Sequence, residues 1–267
     1  MTAQLSTDFE VRPAAGQLGA EILGVDLSDP LAEATADSIK QQLHQHGVLF
    51  FPRQSADPLV HRSFAARFGQ PVMPHPLLET LGEPYPEISV ISTDNGGSYQ
   101  ADHWHSDVTW KAEPSRYSML HMQELPSSGG DTMWSSQYLA YESLSDGMRA
   151  MLDPMTARHE LLGHPDRYAD HPVVIVHPQT GRRSLFVNSL FTVRINELTK
   201  AESDALIPCL MANATRPEFT CRRRWSVGDI AIWDNHFVQH YAIYDYGAAP
   251  RRIHRIELAA EAPSAAN

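Results

Sequence analysis

Short apolar segments separated by turn-forming residues fill most of this chain after about Glu87, and this pattern constrains the fold most strongly. The segments are rich in β-branched and aromatic side chains, and Gly, Pro, Asn and Asp lie between them. We predict strands at 88–92, 108–110, 117–123, 130–134, 173–177, 184–188, 219–225, 229–234 and 252–259. Many short strands favour a sandwich or a barrel. The predicted fold class is therefore mainly β with flanking helices around a double-stranded β-helix (jelly roll) core.

Helices are predicted at 33–46, 57–68, 136–152 and 199–214. Gly47 ends the first helix, and Asp57 followed by Pro58 is the favoured order of residues at the start of the second. Two further strands are expected within 11–27 and one at 48–51. Because the chain contains neither an internal repeat nor a clear linker, we expect one domain spanning residues 1–267.

Composition narrows the function classes. The formal net charge of −11 argues against nucleic acid or an anionic membrane as a partner. The first residues lack the basic and apolar regions of a secretory signal, so a cytoplasmic location is expected. Cys209 and Cys221 are then expected to be free thiols. The sequence is also compatible with a homo-oligomer, either a dimer or a tetramer.

His105 and Asp107, two residues apart, are the first candidate metal ligands. On an extended segment over 104–110 their side chains would project from one face, because strand side chains alternate. His240, which follows a buried strand, would supply a third ligand, and His236 competes with it on position alone. Two imidazoles and one carboxylate with open coordination positions are typical of non-haem Fe(II) oxygenases. In a chain with 14 histidines the His-x-Asp pair alone is weak evidence.

Arg251 and Arg255 suggest an anion site. Four residues apart on a predicted strand, they share a face, whereas Arg252 points to the other side. Arginine binds carboxylates through two parallel hydrogen bonds and keeps its charge when buried. Clustered arginines in an acidic protein indicate a small anionic ligand. The alternative is a solvated cluster of charges.

Several motifs in this order resemble the taurine dioxygenase and 2,4-dichlorophenoxyacetate dioxygenase family of Fe(II)- and 2-oxoglutarate-dependent enzymes. The similarity covers nearly the whole chain. It is carried by Leu18-Gly19-Ala20-Glu21-Ile22, Gly24-Val25-Asp26-Leu27, Phe64-Ala65-Ala66-Arg67-Phe68-Gly69, Trp104-His105-Ser106-Asp107, Gly129-Gly130-Asp131-Thr132, His177-Pro178, Phe186-Val187-Asn188, Trp233-Asp234-Asn235, His240-Tyr241-Ala242 and the segment from Arg251 to Arg255.

The resemblance implies an enzyme and assigns roles to single residues. Fe(II) would be bound by the catalytic residues His105, Asp107 and His240. Arg251 and Thr132 would hold the distal carboxylate of 2-oxoglutarate. Arg255 would contact its inner carboxylate or an anionic group of the substrate. With O2 as the other co-substrate, the reaction would release succinate and CO2. An aspartate at position 107, where related halogenases have a small residue, favours hydroxylation over halogenation.

The resemblance also marks a substrate site. His75, the backbone N–H of Val108 and Phe191 match positions that contact taurine in the family. Leu78 and Ala101 stand where taurine dioxygenase has a tyrosine and an asparagine, so a charged amine would lose its polar partners. We therefore expect a small anionic organic substrate with an apolar body, and not taurine. The segment 159–171 is shorter than in family members, which suggests a lid that leaves room for bulkier molecules.

Alternatives stay open at this point. Within the same chemistry, the chain could be a sulfonate or alkyl-sulfate ester dioxygenase for sulfur scavenging, or an oxygenase that tailors natural products. A different class is a zinc-bound hydrolase or isomerase of the cupin type, since two histidines and one aspartate also hold zinc with a catalytic water. The remaining class is a binding domain without catalytic activity, in which loss of a metal ligand would be common.

Overall fold

The computed structural model describes residues 9–54, 57–74, 78–93 and 101–259, with Pro263 and Ala265. These residues form a mostly β structure. Its strands are β1 (Glu10–Pro13), β2 (Ala20–Leu23), β3 (Val48–Phe51), β4 (Ser89–Ser92), β5 (Tyr117–Glu124), β6 (Thr132–Ser136), β7 (Thr156–Leu161), β8 (His164–Pro172), β9 (Val174–Val176), β10 (Arg183–Leu185), β11 (Thr192–Ile195), β12 (Thr220–Arg223), β13 (Ile230–Asp234), β14 (Val238–Ala242) and β15 (Arg252–Leu258). Its α-helices are α1 (Glu33–His46), α2 (Pro58–Ala65), α3 (Gln137–Glu142), α4 (Asp146–Leu152) and α5 (Lys200–Ala214).

The strands form four sheets. The largest has seven strands in the order β1-β2-β3-β13-β5-β15-β4. Two sheets have three strands, β12-β6-β14 and β11-β7-β8, and the fourth is the pair β10-β9. Among the strand pairs of the described residues, β2 and β3 run parallel and the others antiparallel.

The seven-stranded sheet is buried on both faces, and strand β3 shows why its sequence is continuously apolar. Alternate side chains of a strand point to opposite faces. Leu49 and Phe51 belong to a core cluster that includes Ile39 of α1 and Phe64 of α2. Val48 and Phe50 belong to a second cluster on the other side. A strand that is buried on both faces carries apolar side chains at every position, so polar and apolar residues do not alternate along it.

The second core cluster lies between the large sheet and the sheet β12-β6-β14. Trp134 of β6 is fully buried, and its ring contacts Phe50 at 5.1 Å and Trp233 at 5.9 Å between centroids, both edge to face. Edge-to-face aromatic pairs add about 0.5–1.5 kcal/mol beyond the burial of area. This packing holds β13 and β14 in a fixed relation, and both strands lead to the site described below.

Gly47 joins α1 to the large sheet and has to be glycine. Its backbone is in the left-handed region (φ 73°), and its N–H donates to the carbonyl of Leu43 at 2.7 Å, which ends the helix. A Cβ here would lie 2.8 Å from Val238 Cγ2. The helix end therefore sits directly against β14.

Most of the predicted elements are confirmed to within a few residues. The predicted helix at 136–152 is wrong as a single helix: it is divided into α3 and α4, because the hydroxyl of Ser145 accepts from the N–H of Met148 and starts a new helix. The predicted strand at 108–110 is also wrong, as these residues form a turn. The sequence does not predict strands β7, β8, β11 and β14, because polar residues are mixed among their apolar residues without regular alternation.

Both cysteines are free, Cys209 exposed and Cys221 buried, as expected. In the described ranges, no helix combines the length and the apolar character that crossing a membrane requires.

Buried histidines make the fold sensitive to acid. Burial lowers the pKa of several histidines, to about 4 in the half-buried His44 and in His254 and to about 3 in His159, His177 and His236. They stay neutral in the folded protein at pH 5, whereas the unfolded chain binds protons below about pH 6.5. The unfolded state then holds more protons, so the free energy of unfolding falls as the pH decreases from about 6.5 to 4.

The expected outcome is a melting temperature that decreases steadily over this pH range. His61 offers the sharpest test, because it is fully buried, its pKa lies well below the ordinary value, and neither ring nitrogen has a hydrogen-bond partner among the described residues. His61→Leu should therefore reduce the slope of unfolding free energy against pH, as measured by urea titration at several pH values. His164→Leu, at an exposed position, is the control. An unchanged slope in His61→Leu would contradict this account.

Candidate active site

A two-residue antiparallel bridge joins His105 to His240. The N–H of His105 donates to the carbonyl of His240 at 3.1 Å, and the N–H of His240 donates to the carbonyl of His105 at 2.8 Å. His240 lies on β14, which pairs with β6. The bridge places the two imidazole rings 4.1 Å apart between centroids.

The predicted extended segment at 104–110 is wrong beyond this bridge, because the chain turns at Asp107. Val108 has φ 49°, a left-handed conformation that β-branched residues rarely adopt, and the N–H of Lys111 closes the turn on the Val108 carbonyl at 2.9 Å. Such strain persists only where the surroundings hold it in place. The turn, and not strand alternation, therefore orients Asp107.

Thr109 anchors this turn from the other side. Its hydroxyl oxygen lies 2.8 Å from His159 Nδ1 and accepts from Asn188 Nδ2 at 3.1 Å. His171 Nε2 donates to the carbonyls of Thr109 and Lys111 at 2.8 and 3.0 Å. Side chains of β7, β8 and the loop after β10 thus fix the backbone that carries Asp107.

His105, Asp107 and His240 converge, as the sequence predicts. All three are buried, and one donor atom of each lies within 4.8 Å of the others. His105 Nε2 is 3.7 Å and His240 Nε2 3.8 Å from the same oxygen, Asp107 Oδ1. His105 Nδ1 donates to the carbonyl of His103 at 2.7 Å, which leaves the lone pair on Nε2. His236 is buried outside this group.

The other carboxylate oxygen of Asp107 is held by residues that sequence reasoning missed. Asp107 Oδ2 accepts from the Ser118 hydroxyl at 2.6 Å, and Asn235 Nδ2 donates to that hydroxyl at 2.8 Å. Asn235 Oδ1 in turn accepts from the N–H of Asp107 at 3.2 Å and from Trp233 Nε1 at 2.8 Å. These bonds aim Oδ1 at the two imidazoles. Only the register of β13 with β5, which pairs Trp233 with Ser118, reveals this arrangement.

The electrostatics favour an ionised aspartate beside neutral histidines. Burial acts to raise the pKa of Asp107, but the two imidazoles and the Arg255 guanidinium hold it below its ordinary value. Burial lowers the pKa of His105, and it lowers that of His240 to about 3. Two neutral imidazoles and one carboxylate are the protonation states that bind a metal ion.

Strand β15 and Arg251, the residue before it, supply the charged wall of the site. One cavity is lined by alternate residues of this segment, namely Arg251, Ile253, Arg255 and Glu257. Arg252, which lies between the first two, does not line this cavity. Arg251 is buried and only 14% of the Arg255 side chain is exposed, so the solvated-cluster alternative is wrong for these two. Glu257 was missed, although extending the same alternation by two residues would have found it.

Arg251 reaches the cavity past a glycine. Its Nε donates to the carbonyl of Gly130 at 3.2 Å. Gly130 has φ 74°, and a Cβ there would lie 3.1 Å from Arg251 Nε, so a side chain would displace the guanidinium. Thr132 also lines the cavity, and its hydroxyl oxygen accepts from Trp225 Nε1 at 3.0 Å.

One cavity of about 330 Å³ collects nearly all of the predicted site residues. Besides the ligand triad, Thr132 and the two arginines, Leu78, Ala101, Val108 and Phe191 line it. His75 lies outside the described residues. The cavity is also lined by Trp110 and, from the segment 159–171, by Leu161, Leu162 and His164. Further lining residues that the sequence did not indicate are Ile91, Lys111, Leu120, Leu190, Trp233, Ala242 and Tyr244.

The segment 159–171, expected to be a short lid, forms most of the hairpin β7-β8. The tip of this hairpin contributes Leu161, Leu162 and His164 to the cavity wall. Leu162 is 66% exposed, so an apolar side chain stands at the cavity mouth.

The chain is similar to several known proteins over nearly its whole length. The family model described as Taurine catabolism dioxygenase TauD, TfdA family matches residues 10–256. An alpha-ketoglutarate-dependent sulfate ester dioxygenase of Pseudomonas putida is 36% identical over 98% of this chain and 93% of its own length. An alkylsulfatase of Acinetobacter baylyi is 34% identical over 97% and 87%. The crystal structure of a taurine dioxygenase from Burkholderia xenovorans has a TM-score of 0.89 and 36% identity, covering 97% of this chain and 91% of the other.

Ser118→Ala is expected to weaken metal binding. The substitution removes the hydrogen bond that orients the Asp107 carboxylate, and loss of such a partner typically costs about 10–100-fold in metal affinity. Anaerobic Fe(II) titration measures the change. Ser184→Ala removes a buried hydroxyl that donates to the Leu185 carbonyl, and it serves as the matched control. Equal Fe(II) affinity in Ser118→Ala and the unaltered protein would show that the hydrogen bond does not position the ligand.

Proposed function

We propose a specific reaction for this chain, which belongs to the taurine catabolism dioxygenase TauD, TfdA family and is an alpha-ketoglutarate-dependent (2-oxoglutarate-dependent) dioxygenase. In this proposal it oxidises, by hydroxylation, a C–H bond of a small anionic organic substrate with an apolar body. The observation that carries the proposal is the convergence of His105, Asp107 and His240 in one cavity with Arg251 and Arg255.

The ligand triad fits Fe(II). Both Nε2 atoms face Asp107 Oδ1, one carboxylate oxygen is available while the other is occupied by Ser118, and the cavity borders all three ligands. Imidazole and carboxylate are the donors of the two-histidine, one-carboxylate iron sites. These three residues would therefore hold the ion and leave its remaining positions facing the cavity.

Arg251 and Thr132 are our candidates for the distal carboxylate of 2-oxoglutarate. Arg251 is a buried cation whose Nε is already bound to Gly130, so its orientation is set before the ligand arrives. A guanidinium held in this way can bind a carboxylate through two parallel bonds. The Thr132 hydroxyl lines the same cavity. Arg255 would contact the inner carboxylate or the anionic group of the substrate.

When bound, Fe(II) and 2-oxoglutarate supply the activation of O2 that oxidises a C–H bond, with release of succinate and CO2. The protein's own part is to bind and orient. The turn at 107–111 holds the Asp107 ligand, Arg251 holds the co-substrate, and the walls of the cavity place the substrate and limit access of water.

The substrate proposal depends on the remaining cavity wall. Arg255 and Lys111 supply positive charge, while Leu78, Leu161 and Phe191 supply apolar surface. Leu78 and Ala101 offer no side-chain partner for an ammonium group, which disfavours taurine. The relatives described as a sulfate ester dioxygenase and an alkylsulfatase support an alkyl sulfate ester or sulfonate as one form of this substrate.

The architecture belongs to the same proposal. We assign the facing sheets, β12-β6-β14 and the seven-stranded one, as the two halves of a jelly roll. We also treat residues 1–267 as a single domain, since the family model matches from residue 10 to residue 256.

Anaerobic protein given Fe(II) and 2-oxoglutarate should develop a weak visible metal-to-ligand charge-transfer band, and in air it should form succinate. His105→Ala and Asp107→Ala should abolish both signals because each removes a metal ligand. His236→Ala, a buried histidine outside the triad, should retain them once its fold is verified by circular dichroism. A protein that shows neither band nor succinate would refute the proposed reaction.

A substrate screen tests the finer proposal. Alkyl sulfates, sulfonates, aryloxy acids and terpenoid acids should include compounds that stimulate succinate release above the rate without substrate, while taurine should not. Detection of succinate and of the oxidised product by mass spectrometry makes the comparison. Stimulation by taurine alone would contradict the predicted anionic substrate with an apolar body.

A further inference from the structure

The acidic and basic side chains that line the cavity do not cancel in charge. Among the described lining residues, the lysine and arginines are Lys111, Arg251 and Arg255, and the carboxylates are Asp107 and Glu257. The positive charges exceed the negative ones by at least one, since protonation of a carboxylate would only increase the excess. Fe(II) and the 2-oxoglutarate dianion carry opposite charges of equal size, so binding of both leaves the excess in place. The loaded cavity therefore attracts an anion.

Arg255 already has carboxylate partners before a substrate arrives. Its Nη1 lies 3.4 Å from Asp107 Oδ1, and its Nη2 lies 3.4 Å from Glu257 Oε2. A side-chain hydrogen bond with Ser115 also holds the Glu257 carboxyl group. A substrate anion at Arg255 would therefore compete with two carboxylates that are fixed in place.

Lys111 is the remaining cation of the cavity wall. Arg251 is our candidate for the distal carboxylate of 2-oxoglutarate, whereas Lys111 forms no ion pair within the part of the chain that the structure describes. Its Nζ lies 5.4 Å from the centre of the Trp110 ring, which lines the same cavity. Lys111 is only half-buried, so its side chain is accessible to a ligand.

The backbone of Lys111 is fixed beside the metal site. Its N–H donates to the Val108 carbonyl at 2.9 Å, and its own carbonyl accepts from His171 Nε2 at 3.0 Å. Both hydrogen bonds belong to the turn at 107–111. The side chain can therefore be changed without removing the bonds that hold the Asp107 ligand.

The charge of Lys111 acts at the same end of the cavity as that of Arg255. Burial raises the pKa of Glu257, and the charges of Arg255 and Lys111 oppose this rise. The ammonium group is thus near the pair of Arg255 and Glu257 without an ion pair of its own. Leu161 and Leu190 line the same cavity and offer apolar surface to the rest of a ligand.

We propose that Lys111 is a specificity residue, whose ammonium group binds the anionic group of the substrate. The inference rests on the proposed function and deepens it, because it assigns the charge of the substrate to one side chain. Arg255 then keeps its two carboxylate partners, and the substrate cancels the excess charge of the loaded cavity. The substrate class becomes an organic monoanion, namely a sulfate ester, sulfonate or carboxylate with an apolar chain.

Isothermal titration of the anaerobic protein loaded with Fe(II) and saturating 2-oxoglutarate tests this. The probes are hexyl sulfate, hexane-1-sulfonate, hexanoate and the uncharged 1-hexanol. The unaltered protein should bind at least one of the anions more tightly than 1-hexanol. Lys111→Met should weaken binding of that anion about tenfold or more, as expected for loss of a hydrogen bond between charged groups, and leave 1-hexanol unchanged. Lys111→Arg should bind the anion more tightly than Lys111→Met, because the charge is retained.

Lys40→Met is the matched control. Lys40 is also half-buried, pairs with Asp37 at 3.2 Å and lies outside the cavity lining, so this variant removes the same charge from a distant place. It should keep the affinities of the unaltered protein. If Lys111→Met does not fold, Lys111→Gln, which also lacks the charge, makes the same comparison.

Three results would overturn the inference: no anion bound more tightly than 1-hexanol by the unaltered protein, unchanged anion affinity when Lys111 loses its charge, or an equal loss in Lys40→Met. The charge-transfer band of Fe(II) with 2-oxoglutarate separates these results from a failure of the proposed function. If the band is present in the unaltered protein, the proposed metal and co-substrate sites stand whatever the probes do. Absence of the band would mean that the proposed function itself fails, and the inference with it.

Discussion

The reciprocal hydrogen bonds between His105 and His240 are the contact on which the site depends. These residues are far apart in the chain, and the bridge between their backbones brings a loop segment against β14. Two short backbone bonds fix a strand register, and a register shift of one residue would turn His240 to the opposite face. The packing of Trp134 against Trp233 and the helix end at Gly47 hold β13 and β14 in place behind the bridge.

Around this contact, the charges of Asp107, Arg255 and Glu257 are arranged in pairs. Asp107 offers one oxygen to the imidazoles and one to Ser118, and Arg255 lies between Asp107 and Glu257. In a buried setting each unpaired charge would cost several kcal/mol. A divalent ion and a dianionic co-substrate can enter such a site while its overall charge stays nearly balanced. The pairing of Asp107 with Arg255 also allows the aspartate to stay ionised within 4 Å of the neutral imidazoles of His105 and His240.

The sequence was sufficient to predict those site residues that a local sequence pattern indicates. Alternation on β15 identified Arg251 and Arg255, and the ligand set of His105, Asp107 and His240 follows from residue type and from the family resemblance. The mainly β fold with flanking helices followed from apolar segments and turn residues. Strand alternation and apolar segments are local features of the sequence, and the family resemblance depends on an order of motifs that few folds share.

What the sequence could not provide depends on contacts between distant segments. The bend at Val108 is invisible because its left-handed backbone is imposed by partners of the following residue, Thr109, on other strands. Ser118 was missed because its role requires knowing that it stands beside Trp233. The hairpin β7-β8 was missed because polar residues fill strands that have one solvent-facing side.

This hairpin belongs to a sheet different from those that carry the metal ligands and the arginines. Its tip nevertheless forms part of the cavity wall through Leu161 and Leu162. The tip can therefore change by substitution or insertion during evolution without disturbing the register of β13, β14 and β15. The strands of the hairpin hold the turn that carries Asp107 through His159 and His171, whereas its tip borders the cavity. A lineage can therefore acquire a new substrate by changes at the tip while it keeps its metal centre.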